Sequence, residues 1–230
     1  MPFPTRLLLA LVITLAGIAG PALGQVKVLL PTTGEVKATL ALAGDARRGK
    51  EAYGECQTCH RRDASGRANI GVPRLSGQHA SVIIKQLMDI RSGHRINAVM
   101  KDYVLEPELT LQHFADIAAY LESLPVAGNL SKGPPELLPR GQALYERDCA
   151  VCHGAQGEGR PEVFHPMVAS QHYTYLVREL ELIRDGERGN SNPAMPPILK
   201  NYSADDKRAV AAYLAQLPAP GKTVTPESPR

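Results

Sequence analysis

All four cysteines of this 230-residue chain fall in two copies of one pattern, Cys56-Gln57-Thr58-Cys59-His60 and Cys149-Ala150-Val151-Cys152-His153. Two thiols three residues apart, with an imidazole next in line, suit covalent attachment of a c-type haem. The thiols can add to the two vinyl groups on one porphyrin edge, and the following residue then lies beneath the ring, where it can bind iron. Other uses of paired cysteines fit poorly. A thioredoxin-like pair sits in a βαβ pattern that is absent here, and a zinc ribbon spaces its pairs by about 15–20 residues. Structural disulfides need no histidine after each pair. The expectation is therefore two covalently bound haem c groups, held by Cys56 and Cys59 and by Cys149 and Cys152. His60 and His153 each supply one iron ligand.

The surroundings of the motifs repeat at the spacing of Cys56 to Cys149. Gln78-His79 returns as Gln171-His172, Pro73 as Pro166, Gly93 as Gly186, and Ala118-Ala119-Tyr120-Leu121 as Ala211-Ala212-Tyr213-Leu214. A single return of this kind marks a duplicated unit, not a solenoid. Each copy reads as helical. Ala46 to Glu55 and Pro139 to Asp148 are short helices before the motifs. Val82, Ile83, Leu87 and Ile90, mirrored by Tyr175, Leu176, Leu180 and Ile183, lay apolar stripes on one helical face. Thr110 and Ser203 are good caps for the closing helices, which Pro125 and Pro218 follow.

These signals divide the chain into residues 1–24, a signal segment; 25–44, an N-terminal extension; 45–125, the first domain; 126–136, a Gly/Pro-rich linker; 137–218, the second domain; and 219–230, a polar, Pro-rich tail. Apolar residues make up 43% of the chain, slightly under the roughly 45–50% usual for globular domains. Helical units of this size bury little surface alone. Haem is expected to complete each core, and its removal to unfold each domain.

A second iron ligand is expected from a methionine before each closing helix. Met195 lies in Asn192-Pro193-Ala194-Met195-Pro196-Pro197, a loop stiffened by prolines, and Met100 is its counterpart in a longer loop. Met88 reads as core or surface filler. Met167 aligns with Arg74, which argues against a paired role. His79 and His172 raise bis-histidine ligation, but each starts a helix, where capping or hydrogen bonding suits it better. Thioether with imidazole raises a haem's potential and leaves iron no open position, which suits electron transfer and not bond-making catalysis. No catalytic residue is expected.

Arg6 followed by the apolar run Leu7 to Ile18 and the small-residue site Ala22-Leu23-Gly24 reads as a cleavable export signal, with an uncleaved anchor as the alternative. Export in this setting points to the periplasm and leaves room for peripheral association with the membrane. The formal charge of +3 and the lack of any basic run give no support for nucleic-acid binding.

With these residues in place, the chain resembles the cytochrome c₄ family: two tandem class I cytochrome c domains behind a signal peptide. The resemblance spans about Gly44 to Pro218 and rests on Tyr145 before Cys149-Ala150-Val151-Cys152-His153-Gly154, on Gly157-x-Gly159, on Gly77-Gln78, and on the closing Ala-Ala-Tyr-Leu helices. It implies an all-α fold, each domain wrapped around one covalent haem, the two related by a pseudo-twofold axis with their haems close together. It implies that Pro73 and Pro166 orient the iron-binding histidines. It also implies electron passage from a quinol-oxidising complex or a dehydrogenase to a terminal oxidase or reductase. An electron-accepting subunit of a dehydrogenase, such as a flavoprotein, is the alternative, and a dihaem peroxidase is a third.

Three departures stand out. The extension Gln25 to Ala43 suggests a small hairpin around Pro31-Thr32-Thr33-Gly34, a partner-binding segment or an extended arm. Met100 is followed by Lys101, not proline. His60 is followed by Arg61-Arg62, where His153 is followed by glycine. Arg61, Arg62, Arg67 and Arg74 together suggest a basic face for docking acidic partners at the first domain.

Overall fold

The computed structural model describes residues 34–126 and 131–220. The signal segment, residues 25–33 of the extension, residues 127–130 of the linker and most of the tail lie outside the described residues. Among those described, no helix is long and apolar enough to cross a membrane. Regular structure there is helical, with only two isolated antiparallel bridges, Arg67 to Val72 and Arg160 to His165.

The first unit contains α1 (Gly34–Leu40), α2 (Ala46–Ala52), α3 (Gln57–His60), α4 (Ala80–Arg91), α5 (Ala98–Val104) and α6 (Leu111–Ser123). The second contains α7 (Leu138–Asp148), α8 (Ala150–His153), α9 (Tyr173–Arg184), α10 (Met195–Lys200) and α11 (Ala204–Gln216). Thr110 and Ser203 cap α6 and α11 through reciprocal side-chain and backbone bonds, as their sequences suggest. The first short helix ends sooner than expected: α2 stops at Ala52, and a turn separates it from α3.

One helix crossing frames each unit. Gly49 of α2 lies so close to α6 that a Cβ there would stand 1.9 Å from the Asp116 carbonyl oxygen. Gly141 of α7 meets α11 the same way, at 2.1 Å from the Ala209 carbonyl oxygen. Tyr53 stacks obliquely on Tyr120 at one crossing and Tyr145 on Tyr213 at the other. The first crossing has an added clamp. Arg48 donates to both oxygens of Asp116 at 2.8 Å, and the Asp45 backbone N–H and the Gln112 amide also donate to Asp116. Ala209 is the repeat partner of Asp116, and in the second unit Arg140 of α7 binds Asp206 of α11 instead, at 2.7 Å.

The end of the extension departs from its expectation. Residues 34–40 form α1, neither a hairpin nor an extended arm. Val36 and Thr39, three apart on one helical face, are fully buried where α1 packs on α4 and α6. The Thr39 hydroxyl donates to the Glu35 carbonyl and meets the Met88 sulfur at 3.8 Å. Met88 is thus core. The hairpin's Pro31-Thr32-Thr33 lies outside the described residues.

The two units dock through contacts that recur in both directions. Gln78 binds the backbone of Met167, donating to its carbonyl and accepting from its N–H, both at 2.9 Å. Gln171 does the same to Arg74. His79 Nε2 lies 2.7 Å from the Glu158 carbonyl, and His172 Nε2 lies 2.7 Å from that of Ser65. Ser81 donates to the Pro161 carbonyl and Thr174 to that of Ala68. Both histidines therefore hydrogen-bond across the interface, and neither side chain caps its helix. Arg74 is buried, with its guanidinium on the carbonyls of Ser76, Ala169 and Ser170. This removes it from the basic docking face suggested by the sequence; its three carbonyl partners replace the water it loses.

Candidate haem sites

The second motif begins where its crossing helix ends, and the first begins one turn beyond the end of α2. In the second unit α7 stops at Cys149 and α8 carries Cys152 and His153. His153 is buried, and its Nδ1 lies 3.1 Å from the Pro166 carbonyl oxygen. In the first unit His60 is buried in the same way, with Nδ1 3.1 Å from the carbonyl oxygen of Pro73. Such a bond fixes the tautomer and leaves Nε2 as the nitrogen available to a metal. Burial holds His60 below the usual imidazole range and pushes His153 down to about 4. Both are neutral near pH 7, the form that ligates.

Cys149, Cys152, His153 and Met195 line one cavity, with Leu180, Ile198 and Val210 among its apolar walls. The structure thus brings together all four residues expected in this unit. Met195 opens the first turn of α10, with Pro196 and Pro197 behind it. In the first unit Cys56 and Met100 pack against one apolar cluster that includes Tyr53, Ile83 and Phe114. Met100 also differs from its expected loop setting: it lies in α5, and its backbone N–H donates to the Asn97 side chain that caps that helix.

The donor set fits haem c: paired thiols, a neutral imidazole with Nδ1 already engaged, a thioether and apolar walls. It does not fit a reactive dithiol. Burial pushes Cys56 up to about 11 and Cys149 up to about 12, the reverse of the lowered values of catalytic thiols.

The residue after each histidine is held alike. The Tyr145 hydroxyl donates to the Gly154 carbonyl, and the Tyr53 hydroxyl to that of Arg61 at 3.2 Å. Gly154 has φ 83° and ψ 160°, and Arg61 has φ 66° and ψ 164°. That region belongs essentially to glycine, so the Arg61 departure noted in the sequence is a strained backbone next to His60.

Two features escaped the sequence reading. His165 stacks near His153, ring centroids 5.9 Å apart, and its Nδ1 lies 3.0 Å from the Cys152 carbonyl. Its repeat partner is Val72, so the duplication carries no trace of it. At the interface Arg95 and Arg188 both bind Glu179 and Gln86. Arg188 lies 2.7 Å and Arg95 3.2 Å from Glu179, and the Gln86 carbonyl accepts from both arginines. These are two repeat-related pairs, Arg95 with Arg188 and Gln86 with Glu179, and the repeat spacing was the signal that could have found them.

Comparison with known proteins identifies the two units. Residues 46–125 match the family model described as "Cytochrome c", and residues 136–214 the one described as "Cytochrome C oxidase, cbb3-type, subunit III". The chain is 34% identical over 208 residues to the thiosulfate dehydrogenase electron acceptor of Stutzerimonas stutzeri, covering 81% of this chain and 94% of that protein. It is 31% identical to cytochrome c4 of Pseudomonas aeruginosa, covering 76% and 90%. The crystal structure of reduced recombinant cytochrome c4 from Pseudomonas stutzeri superposes with a TM-score of 0.68 at 29% identity, covering 76% of this chain and all of that one. Two tandem cytochrome c domains, with a haem c bound covalently at each motif, place this chain in the dihaem cytochrome c4 family.

Proposed function

We propose that this chain is a periplasmic carrier of single electrons, exported by residues 1–24, in which His60 and Met100 would hold the iron in the first domain and His153 and Met195 in the second. It takes electrons from a quinol-oxidising complex or a dehydrogenase and gives them to a terminal oxidase or reductase. The observation that carries this reading is the shared cavity of Cys149, Cys152, His153 and Met195. When bound, haem iron supplies reversible one-electron chemistry, at a potential raised by thioether–imidazole ligation. The chain's own residues set the conditions. The Pro73 and Pro166 carbonyls hold the imidazoles in one tautomer, the apolar walls exclude water, and Met100 and Met195 would complete the donor set and leave no place for a substrate. On this reading the chain is no enzyme.

A second reading has one specific support. The relative named a thiosulfate dehydrogenase electron acceptor matches 81% of this chain, which favours an electron-accepting partner or subunit of a periplasmic dehydrogenase. Purification from the native periplasm separates the two. A carrier elutes as a two-haem monomeric species that a quinol-oxidising complex reduces rapidly. A stoichiometric complex with a catalytic chain, and slow reduction by the quinol-oxidising complex, would overturn the carrier reading in favour of the subunit.

A further inference from the structure

Each iron-binding histidine leans on a peptide group that the other domain holds. The carbonyl of the Pro73–Arg74 peptide faces His60 Nδ1 at 3.1 Å. The N–H of that same peptide donates to Gln171 Oε1 of the second domain at 2.9 Å. The arrangement recurs in reverse. The Pro166–Met167 carbonyl faces His153 Nδ1 at 3.1 Å, and its N–H donates to Gln78 Oε1 of the first domain at 2.9 Å. Each glutamine is fixed from several sides. Its amide nitrogen donates to the carbonyl of the residue it clamps, and its oxygen also accepts the next backbone N–H, from His79 or His172. Gln78 is 7% and Gln171 6% exposed, so little water competes for these bonds.

A peptide that donates through its N–H is polarised and accepts better through its carbonyl. A stronger acceptor at Nδ1 makes an imidazole a more basic ligand, and a more basic ligand favours ferric over ferrous iron. We infer that Gln171 tunes the first domain's haem and Gln78 the second's, each across the interface, as positioning residues that act through the peptide behind the opposite histidine. Docking of the domains is then part of each site's redox setting. This rests on the proposed ligation by His60 and His153.

The reciprocal contacts of His79, His172, Ser81, Thr174 and Arg74 remain when one glutamine is changed, so the interface stays closed in a single variant. The test is a spectroelectrochemical titration of two-haem holoprotein, with paramagnetic NMR signals assigned to each domain's haem and proximal imidazole. Gln171→Met removes its two bonds to Arg74 and the one it accepts from the His172 N–H, at similar volume. It is expected to raise the first domain's potential by about twofold to tenfold in the one-electron equilibrium, the upper figure being about 59 mV, and to leave the second domain's potential in place. Gln78→Met is expected to do the converse. Equal shifts at both haems, a shift in the glutamine's own domain, or no shift overturns the inference. If a methionine variant fails to assemble, Gln171→Glu and Gln78→Glu keep the acceptor for the peptide N–H. A downward shift confined to the opposite domain's haem supports the inference, and any other pattern overturns it. Failure of the underlying ligation shows separately, as a wild-type spectrum without two low-spin His/Met haems.

Discussion

Replacing Arg61 with glycine is expected to stabilise the first domain. Arg61 directly follows His60 at φ 66°, ψ 164°, and a side chain held there costs about 1–3 kcal/mol. Glycine removes that cost but gains freedom in the unfolded chain, which returns about 0.5–1 kcal/mol. The net gain is about 0.5–2 kcal/mol, and each kcal/mol moves the midpoint of a domain this size by about 4–8 °C. The Tyr53 bond is to the Arg61 carbonyl, so the substitution keeps it. Gly154→Ala is the reciprocal experiment. At φ 83° it adds the same strain, and its Cβ would stand 2.1 Å from the Glu158 carboxyl carbon, which must swing away. Thermal unfolding of the holoprotein by circular dichroism reads both variants, and amide exchange in α2 and α6 assigns the Arg61→Gly gain to the first domain. A lower midpoint for Arg61→Gly, or an unchanged one with unchanged exchange, would refute the strain argument.

Other outcomes follow from the same framework. Gly141→Ala places a Cβ against the Ala209 backbone and forces α7 off α11, costing about 1–3 kcal/mol. Because α7 leads into Cys149, the Met–iron absorption of the second site should weaken along with the midpoint. The Arg48 guanidinium beside Asp116 holds that carboxyl at about 2. An Asp value lowered on folding stabilises above its unfolded value of about 3.9 and loses that contribution as pH falls. Urea titrations of wild type should therefore show the first domain weakening between about pH 4 and 2. Asp116→Asn should flatten that dependence and cost about 1.5–3 kcal/mol at neutral pH; a wild-type profile already flat in this window would sink the argument.

Much of this was readable from the cysteine pattern and its repeat. Haem attachment depends on contiguous residues, and the closing helices on local caps and apolar periodicity, so both appear in the sequence. Met195 stands out through its prolines, and the structure places it in the cavity lined by Cys149, Cys152 and His153. What stayed hidden depends on partners distant in the chain. Arg74 reads as surface charge until the second domain supplies the carbonyls that let it be buried. The helix at residues 34–40 is short and takes its stability from α4 and α6, to which its own residues give little clue beyond Val36 and Thr39. Gln78 and Gln171 show their recurrence in the sequence, but their targets lie 89 and 97 residues away. Arg61 was visible as a departure from glycine, and only the backbone angles show what the departure costs.

The most direct test of the account is an optical spectrum of the purified holoprotein, ferric and ferrous, with haem counting and exposure to carbon monoxide. Closure of both sites by Met100 and Met195 predicts two covalent low-spin haems, Met–iron charge-transfer absorption and no response to carbon monoxide. A high-spin or carbon monoxide-binding haem would contradict it, showing that one of these methionines leaves its iron open.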